Sequence, residues 1–460
     1  MSIPEHVFRE YDVRGLVGSE LTPAFAEQLG KGFAALLLER TAGRAQAVVL
    51  GRDHRQSSPG LAQGFSRGVR SAGLDVISIG VVPTPLTYYG AFTLPVDGLC
   101  MITGSHNPPE YNGFKTGIGN STMGGAEVQE LKRHTLRANH TTAGREGRQI
   151  ELDVLGSYLG LVTATLGKAK KRLKVVVDAG NGTGGLVGPE LLRRLGHEVI
   201  ELFCDLDGSF PNHHPDPTVE ENLVDLQKKV RETGADLGIA YDGDSDRVGA
   251  VDETGAIWWG DQLMILFSRD VLREHPGAAI VSEVKCSQTL YDDIAARGGR
   301  AIMWKAGHSL IKSKMKEEGA LLAGEMTGHL FFKHRWYGFD DGIYSSARLL
   351  ELIARDGRPF SQMLDGVPKT WASPEIRFAF AEEKKFAAVK RATEKLRPHG
   401  KTVEVDGVRV ILEGGWGLVR ASNTQPLLVL RWEATSEQRL REIQALIEGT
   451  VKEIRAELGG

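Results

Sequence analysis

Two short stretches place reactive residue types at spacings that could do chemistry. The first, Thr103-Gly104-Ser105-His106-Asn107-Pro108-Pro109-Glu110-Tyr111-Asn112-Gly113-Phe114-Lys115, follows the apolar run Leu99-Cys100-Met101-Ile102. That run reads as a buried strand, and residues 103–115 read as a loop, too rich in Gly, Asn and Pro for helix or sheet. Such a loop lifts the Ser105 hydroxyl off the end of a strand, the edge where α/β sheets hold ligands. Gly104 and Gly113 permit close backbone approach, Pro108 and Pro109 stiffen the turn, and Lys115 returns a positive charge toward Ser105. Ser105 is therefore a candidate nucleophile or phosphate carrier. An ordinary surface turn would use the same Asn-Gly and Pro-Pro punctuation.

The second, Tyr241-Asp242-Gly243-Asp244-Ser245-Asp246-Arg247, sets three carboxylates two residues apart between apolar segments. In extended backbone, alternate side chains share one side, so Asp242, Asp244 and Asp246 can converge on one hard cation. The pattern invites comparison with an EF-hand calcium loop, with Glu253 at the twelfth position, but Arg247 stands at the sixth where that loop needs glycine and the flanks read as strands, which disfavours it. Few protein carboxylates with room for a phosphate oxygen suit magnesium. Two further loops carry weaker signals. Gly324-Glu325-Met326-Thr327-Gly328-His329 offers groups for vicinal hydroxyls and a histidine that could orient a substrate or move protons, though a helix cap would look the same. Arg420-Ala421-Ser422-Asn423-Thr424-Gln425-Pro426 is dense in donors, as a phosphate dianion requires, or is a Ser/Asn turn with one arginine. Lys285 and His308 sit at helix starts and could line the same site.

Strands alternating with helices must position these loops. A short strand and turn carries Tyr11 and Arg14, a helix is expected over 23–40, strands over 47–50 and 75–79, and a helix starting at Ser58-Pro59. Val81-Val82-Pro83-Thr84-Pro85 reads as a rigid link into another helix, and residues 138–144 as the start of a linker. A strand at 173–178 leads into Gly180-Asn181-Gly182-Thr183-Gly184-Gly185. Its glycines at 180, 182 and 185 fit the dinucleotide pattern, but no ribose-binding acid follows, so tight strand-to-helix packing is the better reading. After a strand at 237–240 and a hairpin turn at 252–255, helices at 261–273, 287–296 and 308–317 alternate with strands at 279–283, 301–304 and 321–323. The last stretch changes to several strands and two helices; the final helix aligns Leu440, Ile443, Leu446, Ile447, Val451, Ile454 and Leu458 on one face. The expected domains are 1–150, 151–253, 254–368 and 369–460, three α/β units and a smaller α+β one.

Length and composition agree with this plan. At 460 residues the chain exceeds what one core can organise, and its 41% hydrophobic content is enough for several. A net charge of -3 provides no electrostatic footprint for nucleic acid or an acidic membrane. Cys100, Cys204 and Cys286 are odd in number and far apart, which fits a reducing compartment and neither a disulfide framework nor a zinc site. Met1-Ser2-Ile3-Pro4-Glu5-His6 lacks a basic-then-apolar pattern, so no signal peptide is expected, and no apolar run reaches the ~20 residues of a membrane helix. A cytoplasmic monomer is expected.

Taken in order, Tyr-Asp-Val-Arg-Gly at 11–15, Thr-Gly-Ser-His-Asn-Pro at 103–108, Asp-Gly-Asp-Ser-Asp-Arg at 242–247, Gly-Glu-Met-Thr-Gly-His at 324–329 and Arg-Ala-Ser-Asn-Thr at 420–424 resemble the α-D-phosphohexomutases, in particular their bacterial phosphomannomutase/phosphoglucomutase branch. The resemblance covers the whole chain. It implies three related α/β domains and a C-terminal α+β domain around a central active-site cleft. It implies Ser105 as a phosphoserine, Mg²⁺ held by Ser105, Asp242, Asp244 and Asp246, and glucose 1,6-bisphosphate as activator and intermediate. Glu325, Met326, Thr327 and Gly328 would bind the sugar, and Arg420, Ser422, Asn423 and Thr424 the phosphate that is not transferred. Tyr11, Arg14, Lys115, Arg247, Lys285, His308 and His329 would line the site, with Arg14, Lys115 and His329 open as general acid or base. Thr327 departs from the serine usual in this branch, keeping the hydroxyl and adding a methyl. The reaction implied is reversible phosphoryl transfer between C1 and C6 of mannose and glucose phosphates. A metal-dependent sugar-phosphate phosphatase, a sugar-phosphate binding protein and a phosphoglucosamine-type mutase are the alternatives.

Overall fold

Thr22 caps the first long helix. Its hydroxyl accepts the Phe25 amide at 3.1 Å, Pro23 takes the first helical position, and the helix runs Pro23–Arg40 as expected. In the computed structural model, which describes residues 3–137, 144–422 and 425–459, this helix meets Ser58–Ser71 backbone to backbone. A Cβ at Gly30 would lie 2.3 Å from the Phe65 carbonyl oxygen, one at Gly64 2.2 Å from that of Pro23, and one at Gly68 2.1 Å from that of Glu27. All but Gly144 of the expected linker lies outside the described residues.

The chain forms two compact units, Met1–Leu263 with Thr327–Met363, and Met264–Met326 with Leu364–Gly460. The first unit holds two sheets. In one, strands run in the order Val13–Leu16, Tyr111–Ile118, Gly98–Ile102, Ala47–Arg52, Asp75–Val81, Gln149–Glu151, with Ser121–Thr122 paired to Tyr111–Ile118. Ala47–Arg52 is parallel to both its neighbours, while Tyr111–Ile118 is antiparallel to Gly98–Ile102 and to Val13–Leu16. Phe33, Phe65 and Phe114 fill its core at 0% exposure.

Here the structure corrects the expected loop over 103–115, because residues 111–115 belong to a strand. Asn112 and Gly113 are poor strand formers, yet partner strands on both sides supply hydrogen bonds that override local preference. Four α-helices were also not expected: Ala126–Thr135, Leu155–Leu166, Val224–Thr233 and Gly342–Asp356. Ala126–Thr135 has only Val128 and Leu131 as large buried apolar residues, and Leu155–Leu166 mixes β-branched residues with two glycines, which weakens the helical signal of each.

The second sheet of this unit has the order Ile257–Trp258, Val248–Asp252, Leu237–Tyr241, Lys174–Asp178, Glu198–Leu202. Its last three strands are parallel, and Val248–Asp252 is antiparallel to both neighbours. The expected boundary at 253/254 thus falls in the turn of a hairpin, and that at 150/151 falls inside Gln149–Glu151. The glycine-rich loop packs against protein atoms: a Cβ at Gly182 would lie 2.8 Å from the Gly243 carbonyl oxygen, and one at Gly184 2.7 Å from the Tyr241 ring.

In the second unit, Ala279–Glu283 is parallel to Arg300–Trp304 and to Leu322–Gly324, with helices Gln288–Ala296 and His308–Glu318 between them in sequence. A separate antiparallel sheet runs Trp371–Ala372, Leu427–Ala434, Gly415–Ala421, Val408–Leu412, Lys401–Val403, with Ile376–Ala379 also on Leu427–Ala434. Helices Lys385–Leu396 and Glu437–Leu458 supply its core, the latter through Ile443, Ile447, Val451 and Ile454. No helix among the described residues is long and apolar enough to cross a membrane.

The glycine contacts between the first two long helices give a stability prediction. Gly68→Ala should lower the free energy of unfolding by about 1–3 kcal/mol through overpacking, despite the roughly 1 kcal/mol by which Ala favours a helix over Gly. Gly160→Ala, with open space around its Cβ in helix Leu155–Leu166, should raise stability instead. Thermal midpoints of the two variants moving in the same direction would sink this account.

Candidate active site

The serine and aspartate loops arise in the same way. Each leaves the C-terminal end of a parallel strand, Gly98–Ile102 or Leu237–Tyr241, and returns as an antiparallel neighbour. Each turns through a serine in left-handed backbone, Ser105 at φ 49° and Ser245 at φ 62°, a conformation that costs a non-glycine residue on the order of 1 kcal/mol or more. The two loops then meet. Ser105, 3% exposed, donates its hydroxyl to Asp242 Oδ2 at 2.9 Å. Asp242, Asp244 and Asp246 are all fully buried, with carboxylate oxygens within 4.8 Å of one another.

Charge and hydrogen bonds compensate that cluster. Lys115 Nζ reaches Asp244 Oδ2 at 2.7 Å and Asp246 Oδ2 at 2.5 Å. Thr84 donates its hydroxyl to Asp244 Oδ2 at 2.5 Å and its amide to the Asp244 carbonyl at 2.9 Å, while the Arg247 amide donates to Asp242 Oδ1 at 3.1 Å. Burial works against the Lys115 ammonium, but the two aspartates outweigh it and hold its pKa above the ordinary value. Burial and the neighbouring carboxylates push Asp242 well up. Asp246 is pushed up by burial and pulled further down by Lys115 and His329, ending well below the usual carboxylate range. Asp244 Oδ1 is buried and accepts no hydrogen bond among the described residues.

Other expected residues of this unit flank the cluster. Arg14, on strand Val13–Leu16, donates to Asn107 Oδ1 at 3.2 Å and to Asp12 Oδ2 at 2.5 Å, and Tyr11 stands half-buried just before that strand. His329 Nε2 lies 3.2 Å from both Arg247 Nε and Asp246 Oδ1, and its Nδ1 lies 3.4 Å from the Thr327 hydroxyl. Gly328 between them has φ 90°, and a Cβ there would sit 2.3 Å from the Val248 carbonyl oxygen. His106, next to Ser105, bonds Asp216 Oδ2 through Nδ1 at 2.8 Å. Burial and the Arg247 charge push its pKa down to about 4 against the pull of Asp216, so the ring is neutral near pH 7.

The second unit gathers its own set. Lys285 Nζ is 3.1 Å from Glu375 and 3.9 Å from Glu283, and its charge holds the Glu375 carboxyl down at about 2. Glu283 Oε1 also accepts the Met326 amide at 3.3 Å, while Glu325 accepts the Gly307 amide at 2.6 Å, just ahead of His308 at the start of its helix. Arg420 donates to Asp406 at 3.0 Å, and Asp406 also accepts the Ala306 amide at 3.1 Å. Ser422 accepts the Gln425 amide at 3.2 Å; Asn423 and Thr424 lie outside the described residues.

Sequence reasoning missed several partners. Thr84 was legible only as part of a proline-stiffened link, and nothing local marks its hydroxyl as a partner of Asp244. Asp216, Glu375 and Asp406 lie 110, 90 and 14 residues from the groups they bond, and no local pattern marks them.

The chain matches the phosphoglucomutase/phosphomannomutase alpha/beta/alpha domain I over residues 5–140, domain II over 158–255, domain III over 259–371 and the C-terminal domain over 375–449. It is 45% identical to a phosphomannomutase/phosphoglucomutase of Pseudomonas aeruginosa, covering 99% of this chain and 98% of that one, and 42% identical to a phosphoglucomutase of Neisseria gonorrhoeae, covering 98% of each. Among solved structures, a phosphoglucomutase/phosphomannomutase family protein of Burkholderia thailandensis superposes with a TM-score of 0.92 at 41% identity, covering 99% of this chain and 98% of that one. With the serine and aspartate loops joined as described and every domain matched in order, the chain belongs to the phosphoglucomutase/phosphomannomutase family.

Proposed function

We propose that this protein moves a phosphoryl group reversibly between C1 and C6 of glucose and mannose phosphates, with Ser105 as the phosphoryl carrier. The observation that carries the reading is the 2.9 Å bond from the Ser105 hydroxyl into the buried three-carboxylate loop. In the forward step, the bond from phosphorus to Ser105 Oγ breaks and one to the free sugar hydroxyl forms, giving a hexose 1,6-bisphosphate. The sugar's other phosphoryl group then returns to Ser105, whose Oγ ends as it began. The names of the curated relatives favour glucose and mannose over an amino sugar.

The proton of the attacking hydroxyl needs an acceptor. An arginine does not give up its proton in a protein, which removes Arg14. Lys115 is kept protonated by Asp244 and Asp246. With those two set aside, His329, whose Nε2 lies 3.2 Å from both Arg247 Nε and Asp246 Oδ1, is assigned to take and return the proton. Arg247 and Lys115 offset charge on the phosphoryl group in flight. Lys285 and Arg420 would bind phosphate, and Glu325, Met326, Thr327, Gly328 and His308 the sugar.

A divalent cation fits the acidic loop: three buried carboxylates converge, and Asp244 Oδ1 lacks a hydrogen-bond donor among the described residues. Asp242, Asp244 and Asp246, with an oxygen on Ser105, would hold Mg²⁺, which when bound would draw negative charge from the phosphoryl group. The same reading includes a monomeric, cytoplasmic enzyme acting on small hexose phosphates, with glucose 1,6-bisphosphate as its activator.

Coupled assays with glucose 1-phosphate and with mannose 1-phosphate, in Mg²⁺ and trace glucose 1,6-bisphosphate, should show conversion of both to 6-phosphates without release of inorganic phosphate. Ser105→Ala should lose about 10⁵-fold or more of the rate. Phosphate released in step with substrate loss would instead make the protein a phosphatase.

Lys115→Met tests the electrostatics directly. Leaving Asp244 and Asp246 uncompensated should lower stability by about 3–5 kcal/mol, as for other broken buried pairs. In a chelator the thermal midpoint of the variant should drop well below that of the native protein, and millimolar Mg²⁺ should recover part of the difference. A variant midpoint insensitive to Mg²⁺ would argue against a cation at this loop.

A further inference from the structure

Arg55 belongs to none of the loops considered so far. It follows strand Ala47–Arg52, is 1% exposed, and uses every donor it has. A guanidinium carries five N–H groups in one plane. Nε donates to Asp53 Oδ2 at 3.1 Å. Nη1 donates to the carbonyl oxygens of Pro108 at 2.6 Å and Tyr111 at 3.1 Å, and Nη2 to those of Ser105 at 2.8 Å and Asn107 at 2.5 Å. Three of the five acceptors are therefore backbone oxygens of the loop that presents Ser105, and a fourth, that of Tyr111, opens the strand into which the loop runs.

The surroundings are shaped for that contact. A Cβ at Gly104 would lie 2.5 Å from Arg55 Cζ, so only glycine lets the chain pass the guanidinium at this point. Asp53, which orients Nε, also accepts the Gly104 amide at 3.1 Å, and the Phe210 ring covers the guanidinium with its centroid 5.0 Å from Cζ. On the other side of the loop, a Cβ at Gly243 would sit 2.4 Å from the Ser105 carbonyl oxygen, so the aspartate loop abuts the same peptide that Arg55 holds. A buried cation with one carboxylate depends on its remaining acceptors, and buried carbonyls depend on their donors. Neither the loop nor Arg55 can shift without stranding the other.

We propose that Arg55 is the positioning residue of the serine loop: by gathering the carbonyl oxygens of Ser105, Asn107, Pro108 and Tyr111, it holds the Ser105 hydroxyl at bonding distance from Asp242 while touching neither sugar nor phosphoryl group. Lysine cannot replace it, because an ammonium has three donors and no planar fork. The proposal rests on the mutase reading above, since what Arg55 positions is the phosphoryl carrier of that reaction.

The test compares native protein with Arg55→Lys in three measurements: kcat with glucose 1-phosphate, the rate at which glucose 1,6-bisphosphate phosphorylates Ser105 as followed by intact mass, and calorimetric affinity for glucose 1-phosphate. The affinity is measured in a Ser105→Ala background, with and without Arg55→Lys. Misplacing the hydroxyl should lower kcat and the phosphorylation rate together by about 10²-fold, with the dissociation constant unchanged within about threefold. Should Arg55→Lys fail to fold, Asp53→Asn, which weakens the Nε anchor together with the carboxylate's bonds to the Gly104 and Arg55 amides and the Ser58 hydroxyl, takes its place with an expected fall of about tenfold in the same two rates. Undiminished rates in the folded variant overturn the proposal, as does an affinity that weakens by the same factor as kcat. A native protein without mutase activity would overturn the mutase reading itself, whereas an active native protein with an equally active variant would overturn only the role of Arg55.

Discussion

Burying three carboxylates of one loop beside each other is the constraint on which the rest of the first unit depends. At separations within 4.8 Å, each pair of like charges repels by about 3–4 kcal/mol at an effective dielectric constant of 20. The loop can persist only if other elements bring compensation to it. Lys115 arrives on strand Tyr111–Ile118, the Thr84 hydroxyl from the start of helix Thr84–Thr93, and the Arg247 amide from the loop itself. Lys115 touches two of the three carboxylates, and the third, Asp242, is the one that receives the serine hydroxyl. Ser105, the proposed phosphoryl carrier, is thus bonded to the carboxylate with the least direct cationic support, whose pKa burial and its neighbours drive up.

That arrangement needs backbones to approach more closely than side chains allow. Gly243 lies against the Ser105 carbonyl, Gly182 against Gly243, and Gly328 against Val248. Ser105 and Ser245 add left-handed backbone at the turn of each loop, a local cost that only a well-braced surrounding structure can hold. The glycine-rich run at 180–185 acquires its meaning here. It makes room for the aspartate loop, and Thr183 donates its amide to the Gly243 carbonyl at 3.0 Å.

What the sequence made legible follows from the range of the physics involved. Spacing within one loop is a local property, so Ser105 and the three aspartates could be picked out from residue type and interval, whereas Arg247 entered only through the family resemblance. Helix Pro23–Arg40, with Thr22 and Pro23 at its start, and helix Glu437–Leu458, with its apolar face, were equally readable. Strand Tyr111–Ile118 was not, because its hydrogen bonds come from partners about 100 and 15 residues earlier in the chain. The same holds for the ion pairs. Lys115 was expected to point toward Ser105, but nothing local reveals that it is bound to Asp244 and Asp246, or that His106 leans on Asp216. Arg55 sits in an unremarkable Gly-Arg-Asp-His-Arg run; its role is written in the carbonyl oxygens of a loop some fifty residues away.

The cations of the second unit pose a different question, because both already have carboxylate partners. Lys285 is bridged to Glu375 and Arg420 to Asp406. For Lys285 the partners have a clear effect: burial alone would favour the neutral amine, and Glu283 with Glu375 reverses that, keeping the ammonium charged. They also fix where each cation sits, since Asp406 is itself held by the Ala306 amide and Glu283 by those of Lys285 and Met326. A phosphate held there, as proposed, would meet a positioned charge whose field is partly spent on a neighbouring carboxylate. Its binding would be weaker than to a bare cation, which would suit a reversible reaction: a bisphosphate must be held between two transfers, yet a monophosphate must leave at the end of each cycle. Uniformly tighter binding of both would lower KM without raising kcat. Paired cations therefore fit a site whose ligand has to exchange.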